Sequence, residues 1–120
     1  MGTPSAGAVV VVPFPFSDLS QTKLRPVLSI LADVGRGDWV LCQITSNPYG
    51  DIHAIPLAED DFSVGSLHVR SYARPGKLFT ASSDLVVGEV GRLQRLAFRR
   101  VIDGVVSLFR AAEAHVAQGA

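Results

Sequence analysis

Cysteine, methionine and tryptophan each occur once in this chain of 120 residues. A single thiol excludes an intrachain disulfide framework and fits a reducing compartment. Cys42 lies inside the apolar run Trp39-Val40-Leu41-Cys42-Gln43-Ile44, the setting of a small core hydrophobe rather than a nucleophile. Long hydrophobic runs are missing too: no stretch approaches the ~20 apolar residues of a membrane span. No basic region precedes Val9, so a secretory signal is not expected and the cytoplasm is the expected compartment. Excess charge of either sign is also absent, with 11 Lys plus Arg against 11 Asp plus Glu. A balance of zero excludes a protein that coats nucleic acid by bulk electrostatics, but it leaves room for a local groove. No His, Cys and carboxylate cluster has metal-ligand spacing. Glu59-Asp60-Asp61 lacks such a partner and reads as a solvated turn.

What is present describes one folded domain spanning 1–120, with its core at about 7–116. Apolar residues make up 48% and charged residues 18%, enough to bury a core without staples. Ala8 to Phe14 is a β-branched run ended by Pro13 and Pro15, a first buried strand. A polar loop follows from Pro15 to Leu24. Arg25 to Leu31 and Trp39 to Thr45 form a hairpin around the glycine-bearing turn Asp33–Asp38. Asn47-Pro48-Tyr49-Gly50 stops the third strand. Further short strands are expected at Ile52–Leu57, Ser66–Tyr72, Lys77–Ala81 and Leu85–Val90. Short strands at regular spacing with no helices between them predict a barrel. From Leu93 the period changes: Leu93, Ala97, Val101, Val105, Leu108 and Ala112 mark an amphipathic helix over about Gln94–Val116, with a tail fraying beyond Ala117. Gly104, in its middle, should cost about 1 kcal/mol relative to Ala unless it marks close packing against a strand.

Chemistry-bearing groups sit at strand ends, where a rigid scaffold commonly presents them. Arg25 opens the second strand, and Thr45-Ser46 closes the third. A guanidinium stays charged and can clamp two phosphoryl oxygens at once. Arg25 equally suits an ion pair with Asp18 or another acid. A threonine hydroxyl is no strong base but can donate to a phosphoryl oxygen. Ser46 either extends this hydroxyl pair or caps the following turn. His53 and His68 are candidates for proton transfer because imidazole titrates near neutrality. Both also read as solvent-facing strand residues. Arg92, Arg95, Arg99 and Arg100 form a basic helix face, solvated, RNA-binding or paired with acids of a partner. Phe14 and Phe16 alternate across a strand end, where one enters the core and the other can border a groove and stack on a base.

Four pieces occur in order: Pro13-Phe14-Pro15-Phe16-Ser17-Asp18-Leu19-Ser20, Lys23-Leu24-Arg25-Pro26-Val27-Leu28, Cys42-Gln43-Ile44-Thr45-Ser46 and Arg74-Pro75-Gly76-Lys77-Leu78-Phe79-Thr80. Together they resemble the PemK/MazF family, the toxins of type II toxin–antitoxin modules, over about Gly7 to Phe109. The resemblance implies a small SH3-like (CcdB/MazF-type) β-barrel with a C-terminal helix, in a homodimer. It also implies cleavage of single-stranded RNA without metal or cofactor, to a 2′,3′-cyclic phosphate and a 5′-hydroxyl. A cognate antitoxin would neutralise the toxin, and DNA would be met only through that antitoxin. The family's two principal catalytic residues map onto Arg25 and Thr45. Asp18 falls in the loop that flanks the active site in relatives, and Ser71 and Arg74 are carried over as RNA contacts. The same fold also serves non-enzymatic gyrase poisons of the CcdB type, and inactive members can persist as antitoxin-binding modules. Three features depart from the family pattern: Ala8 after Gly7, Ser29 within an aliphatic strand, and a helix start at Leu93-Gln94-Arg95 without a Ser, Thr or Asp cap.

Overall fold

Val9-Val10-Val11-Val12 cannot alternate apolar and polar faces, so a strand built from it needs cover on both sides. The computed structural model, which describes residues 6–14 and 23–119, provides that cover. Strand β1 (Ala8–Phe14) lies inside a seven-stranded antiparallel sheet with β2 (Lys23–Gly35), β3 (Asp38–Thr45), β4 (Ile55–Leu57), β5 (Phe62–Gly65), β6 (Ser71–Ser82) and β7 (Gly88–Leu93). The strand order β4-β6-β3-β2-β1-β7-β5 curls into a half-barrel, followed by helix α1 (Arg95–Gly119). Residue parity divides the core in two. Val9, Leu28, Cys42 and Ile44 turn toward a cluster that includes Ala97 and Val101 of the helix. Ala8, Val10, Val12, Val27, Trp39 and Leu41 pack together in a second cluster. Strands β1, β2 and β3 therefore feed alternate residues to two apolar layers, and near-continuous hydrophobic runs are the result.

The second half of the sheet departs from the sequence expectation. Ile52 and His53 belong to a turn, with Ile52 90% exposed, and only Ile55–Leu57 forms the strand. The strand expected at Ser66–Tyr72 is displaced: β5 ends at Gly65, and 66–70 is a loop. The strand expected at Lys77–Ala81 is part of β6, which begins at Ser71 and runs through Pro75-Gly76. Ile44 pairs with Ala73 but Cys42 with Leu78, so the extra residues bulge out of the ladder there. A Pro-Gly pair that usually ends a strand is absorbed as a bulge. Leu85 lies in a 3₁₀ turn at Ser83–Leu85, whose start is capped by the Ser82 hydroxyl accepting from Asp84 N–H at 3.1 Å, so the last strand begins later, at Gly88.

That bulge explains the mid-helix glycine. A Cβ on Gly104 would stand 2.9 Å from Ile55 Cδ1 and 3.1 Å from Pro75 Cγ. The helix thus rests directly on β4 and on the Pro75 bulge. Gly104→Val should destabilise the fold by about 1–3 kcal/mol through overpacking, read as a lowered denaturation midpoint. The helix start has no short polar cap. Instead, the Gln94 backbone N–H donates to Asp61 O at 2.8 Å and its side-chain amide donates to Asp60 O at 2.6 Å. The helix runs on to Gly119 rather than fraying at Ala117. Arg92 belongs to β7, not to the helix face. Arg100 meets Asp61 of its own chain at 2.8 Å. Burial works against the Asp61 charge, but the bonds from Arg100 and the Ala58 N–H outweigh it and lower the carboxyl below its ordinary range. Ser29 is fully buried, and its hydroxyl has no partner among the described residues. That is a desolvation cost an aliphatic residue would avoid.

Candidate active site

Strands β2 and β3 pair with Val27 opposite Gln43 and Leu28 opposite Cys42. That pairing brings the start of β2 and the end of β3 to the same end of the sheet, so Arg25 and Thr45 meet although twenty residues separate them in sequence. They border a cavity of about 680 Å³, also lined by Ser46, Ser71 and Arg74. Five of the six residues singled out from the sequence therefore line one concavity. The sixth, Asp18, lies outside the described residues, as do Phe16 and the side chain of Phe14.

The side chains differ in how committed they are. Arg25 is exposed, and among the described residues no carboxylate pairs with it. Thr45 is half-buried: its hydroxyl donates to Asn47 O at 2.9 Å and accepts from Asn47 N–H at 3.1 Å. That reciprocal bond fixes the Thr45 side chain at the mouth of the cavity. Ser71 is buried, and its hydroxyl donates to Val69 O at 3.0 Å, so it braces the 66–70 loop rather than offering a free donor. Arg74 Nε donates to Asp51 Oδ2 at 2.8 Å. The Arg74 guanidinium, with the His53 backbone N–H, holds the Asp51 carboxyl below its ordinary range. One nitrogen is spent on this pair, and the guanidinium keeps further N–H groups beside the cavity.

Three contributors were missed from sequence. Gln43 lines the cavity with its Oε1 buried and without a partner among the described residues, an acceptor wanting a donor. Only the strand register would have flagged it. Asp51 carries no local signal, because its pairing with Arg74 spans 23 positions. Tyr49, part of the turn that stops β3, also lines the cavity. Of the two histidines that are candidates for proton transfer, His68 lines the cavity and His53 is not among its lining residues. Neither is in a strand: His53 is in a turn, and His68 is in the 66–70 loop at φ +62°. Cys42 is buried and its thiol donates to Arg74 O at 3.2 Å. Burial pushes that thiol up to about 12, which leaves it inert as a nucleophile. Among the described residues no three His, Cys, Asp or Glu side chains gather as a cation site. No helix among them is long and apolar enough to cross a membrane.

No family model matches the chain. No curated protein matches it either. Solved structures do. A MazF crystal structure from Deinococcus radiodurans superposes with a TM-score of 0.70 at 18% identity, covering 91% of this chain and 98% of that one. A MazE-MazF structure from the same organism gives 0.72 at 18% identity, over 91% and 97% of the two chains. An endoribonuclease in complex with its cognate antitoxin, from a mycobacterial species, gives 0.65 at 14% identity, over 89% and 93%. The curled seven-stranded sheet with its C-terminal helix is the fold of the MazF toxins.

Proposed function

We propose that the chain is a metal-independent, sequence-specific endoribonuclease toxin that cuts single-stranded mRNA in the cytoplasm and is neutralised by a cognate antitoxin. The observation that carries this reading is a cavity in which Arg25, with no carboxylate partner among the described residues, stands beside Thr45, with Arg74 on its wall. RNA brings its own nucleophile, the 2′-hydroxyl, next to the phosphorus it attacks, so proximity removes much of the entropic barrier. The protein must then stabilise charge on the phosphoryl oxygens and manage two protons. Arg25 neutralises the phosphoryl oxygens as negative charge builds on them. Thr45, released from Asn47 O by rotation of its hydroxyl, donates a further hydrogen bond. The 2′ oxygen bonds to phosphorus as the 5′ oxygen leaves. The 2′ proton passes to His68 or to water, and the 5′ oxygen takes up a proton.

A homodimer is part of this proposal. Val64, Val87, Leu96 and Phe109 are each more than 60% exposed, and the short strands β4 and β5 stand at open sheet edges. Both features favour cover by a second copy. The antitoxin-bound structures of the same fold support the cognate antitoxin as a further partner.

Purified protein incubated with a long single-stranded RNA in EDTA should cut it at a limited set of sites. Loss of activity in chelator with recovery on adding Mg²⁺ would overturn the metal-independent mechanism. Intact RNA together with inhibition of DNA gyrase would favour a non-enzymatic toxin instead.

A further inference from the structure

Four residues other than glycine adopt positive φ among the described residues. Arg36 does so at the β2–β3 connection, where a tight turn demands it, and Asp33 does so inside β2, where the register with β3 shifts between Leu31 and Gly35. The other two, Tyr49 and His68, both line the cavity that holds Arg25 and Thr45.

Tyr49 is the more telling. Asp51 N–H donates to Pro48 O at 2.9 Å, closing a four-residue turn whose central residues, Tyr49 and Gly50, sit at φ +52° and +76°. Two central residues at positive φ make the type I′ pattern, which Asn, Asp and Gly fill without strain and an aromatic residue does not. Packing does not compensate, because Tyr49 is 78% exposed. The strain is instead held by bonds at both ends of the turn. Asn47 Oδ1 accepts from the Tyr49 N–H at 3.0 Å, and the reciprocal Thr45–Asn47 bonds tie the turn to the end of β3. On the far side Asp51 accepts from His53 N–H at 2.9 Å and from Arg74 at 2.8 Å. The backbone that carries this exposed aromatic ring is thus fixed at the cavity edge, four residues from Thr45, in a conformation that prefers other residues. Strain of this kind, over-determined by its surroundings, collects at ligand-contacting positions.

We infer that Tyr49 is a base-stacking platform that holds an unpaired nucleobase next to the scissile phosphate, with the Asp51–Arg74 pair positioning it. The inference rests on the nuclease reading and adds a substrate-positioning residue to it. Every base has a π face, so an aromatic ring on a fixed backbone positions a single-stranded substrate without needing duplex geometry. Asp51 acts only through the turn and touches no reacting atom.

The test begins with sites mapped on a long RNA, from which a short oligonucleotide with one cut site is made. Abasic nucleotides are then placed at each position around the cut. Tyr49→Ala and Tyr49→Asn should lower kcat/KM on the order of tenfold to a hundredfold, the worth of one base–aromatic stack. Tyr49→Phe should cut at close to the parent rate. Tyr49→Asn should melt at or above the parent temperature, because Asn suits the turn, so its loss of activity is not a loss of fold. One abasic position should slow the parent enzyme by a similar factor and slow Tyr49→Ala no further. Parent-like cleavage by Tyr49→Asn, or losses that multiply at every abasic position, would overturn the stacking role. A Tyr49→Ala variant that cuts normally but escapes its antitoxin would also overturn it, assigning the ring to the protein partner. An inactive parent chain would instead overturn the nuclease reading, and this inference with it.

Discussion

Arg25→Ala should slow RNA cleavage on the order of a hundred- to a thousandfold while leaving the fold intact, the cost of losing one preorganised electrostatic donor, roughly 3–4 kcal/mol of barrier. Both halves of this expectation follow from where Arg25 sits. It is exposed at the end of β2, and no carboxylate among the described residues pairs with it, so its removal strands no described partner and opens no core cavity. Its place beside Thr45 on the cavity lining makes it a cavity group rather than a scaffold group. Arg25→Lys should recover only part of the rate, because an ammonium cannot clamp two phosphoryl oxygens in the guanidinium's planar geometry. Single-turnover cleavage combined with thermal denaturation checks both points. A variant that no longer folds would make Arg25 a structural ion-pair residue. A folded variant cutting at the parent rate would place the reaction elsewhere.

Thr45→Val, nearly isosteric, should also be slow, by about a hundredfold if its hydroxyl donates to the phosphoryl group. A second consequence comes from the structure rather than the chemistry. The Thr45 hydroxyl both donates to and accepts from the Asn47 backbone. Valine leaves those two groups to water and loosens the turn that carries Tyr49, costing on the order of 1 kcal/mol of stability. Thr45→Ser keeps the hydroxyl and should restore most of both. RNA affinity, measured on a non-cleavable oligonucleotide, should fall far less than the rate in Thr45→Val. Equal losses of affinity and rate would make Thr45 a binding residue only.

The parts of this molecule that were legible in the sequence are those in which local pattern and tertiary role agree. Val9 to Val12 demand two buried faces wherever they lie, and the period from Leu93 onward makes only one kind of helix. Arg25 and Thr45 stand out because each flanks an apolar run, although β2 outruns the expected Arg25–Leu31 at both ends, from Lys23 to Gly35, because its pairing with β1 and β3 carries it on. The misplaced strands share one cause. Pro75-Gly76 is a local stop signal, but β6 is held by β3 on one side and β4 on the other, and the ladder absorbs the pair as a bulge against Gly104. Gln43, Asp51 and Tyr49 were not legible for a related reason. Register buries the Gln43 acceptor at the cavity, a residue 23 positions away pairs with Asp51, and backbone dihedrals that no local pattern encodes present Tyr49. The turn Asn47–Gly50 was visible as a turn, and only its handedness reveals that tyrosine is the wrong residue for the backbone alone.

The central claim is that the substrate's own 2′-hydroxyl attacks the phosphate held between Arg25 and Thr45. A single 2′-deoxy nucleotide placed on the 5′ side of a mapped cut site tests it directly, since it removes one oxygen and leaves every base in place. Cleavage at that phosphate should cease while neighbouring sites are still cut, and the unmodified RNA should yield a 2′,3′-cyclic phosphate and a 5′-hydroxyl. Continued cleavage of the deoxy linkage, with a 5′-phosphate on the product, would show that water is the nucleophile and contradict the mechanism proposed for this site.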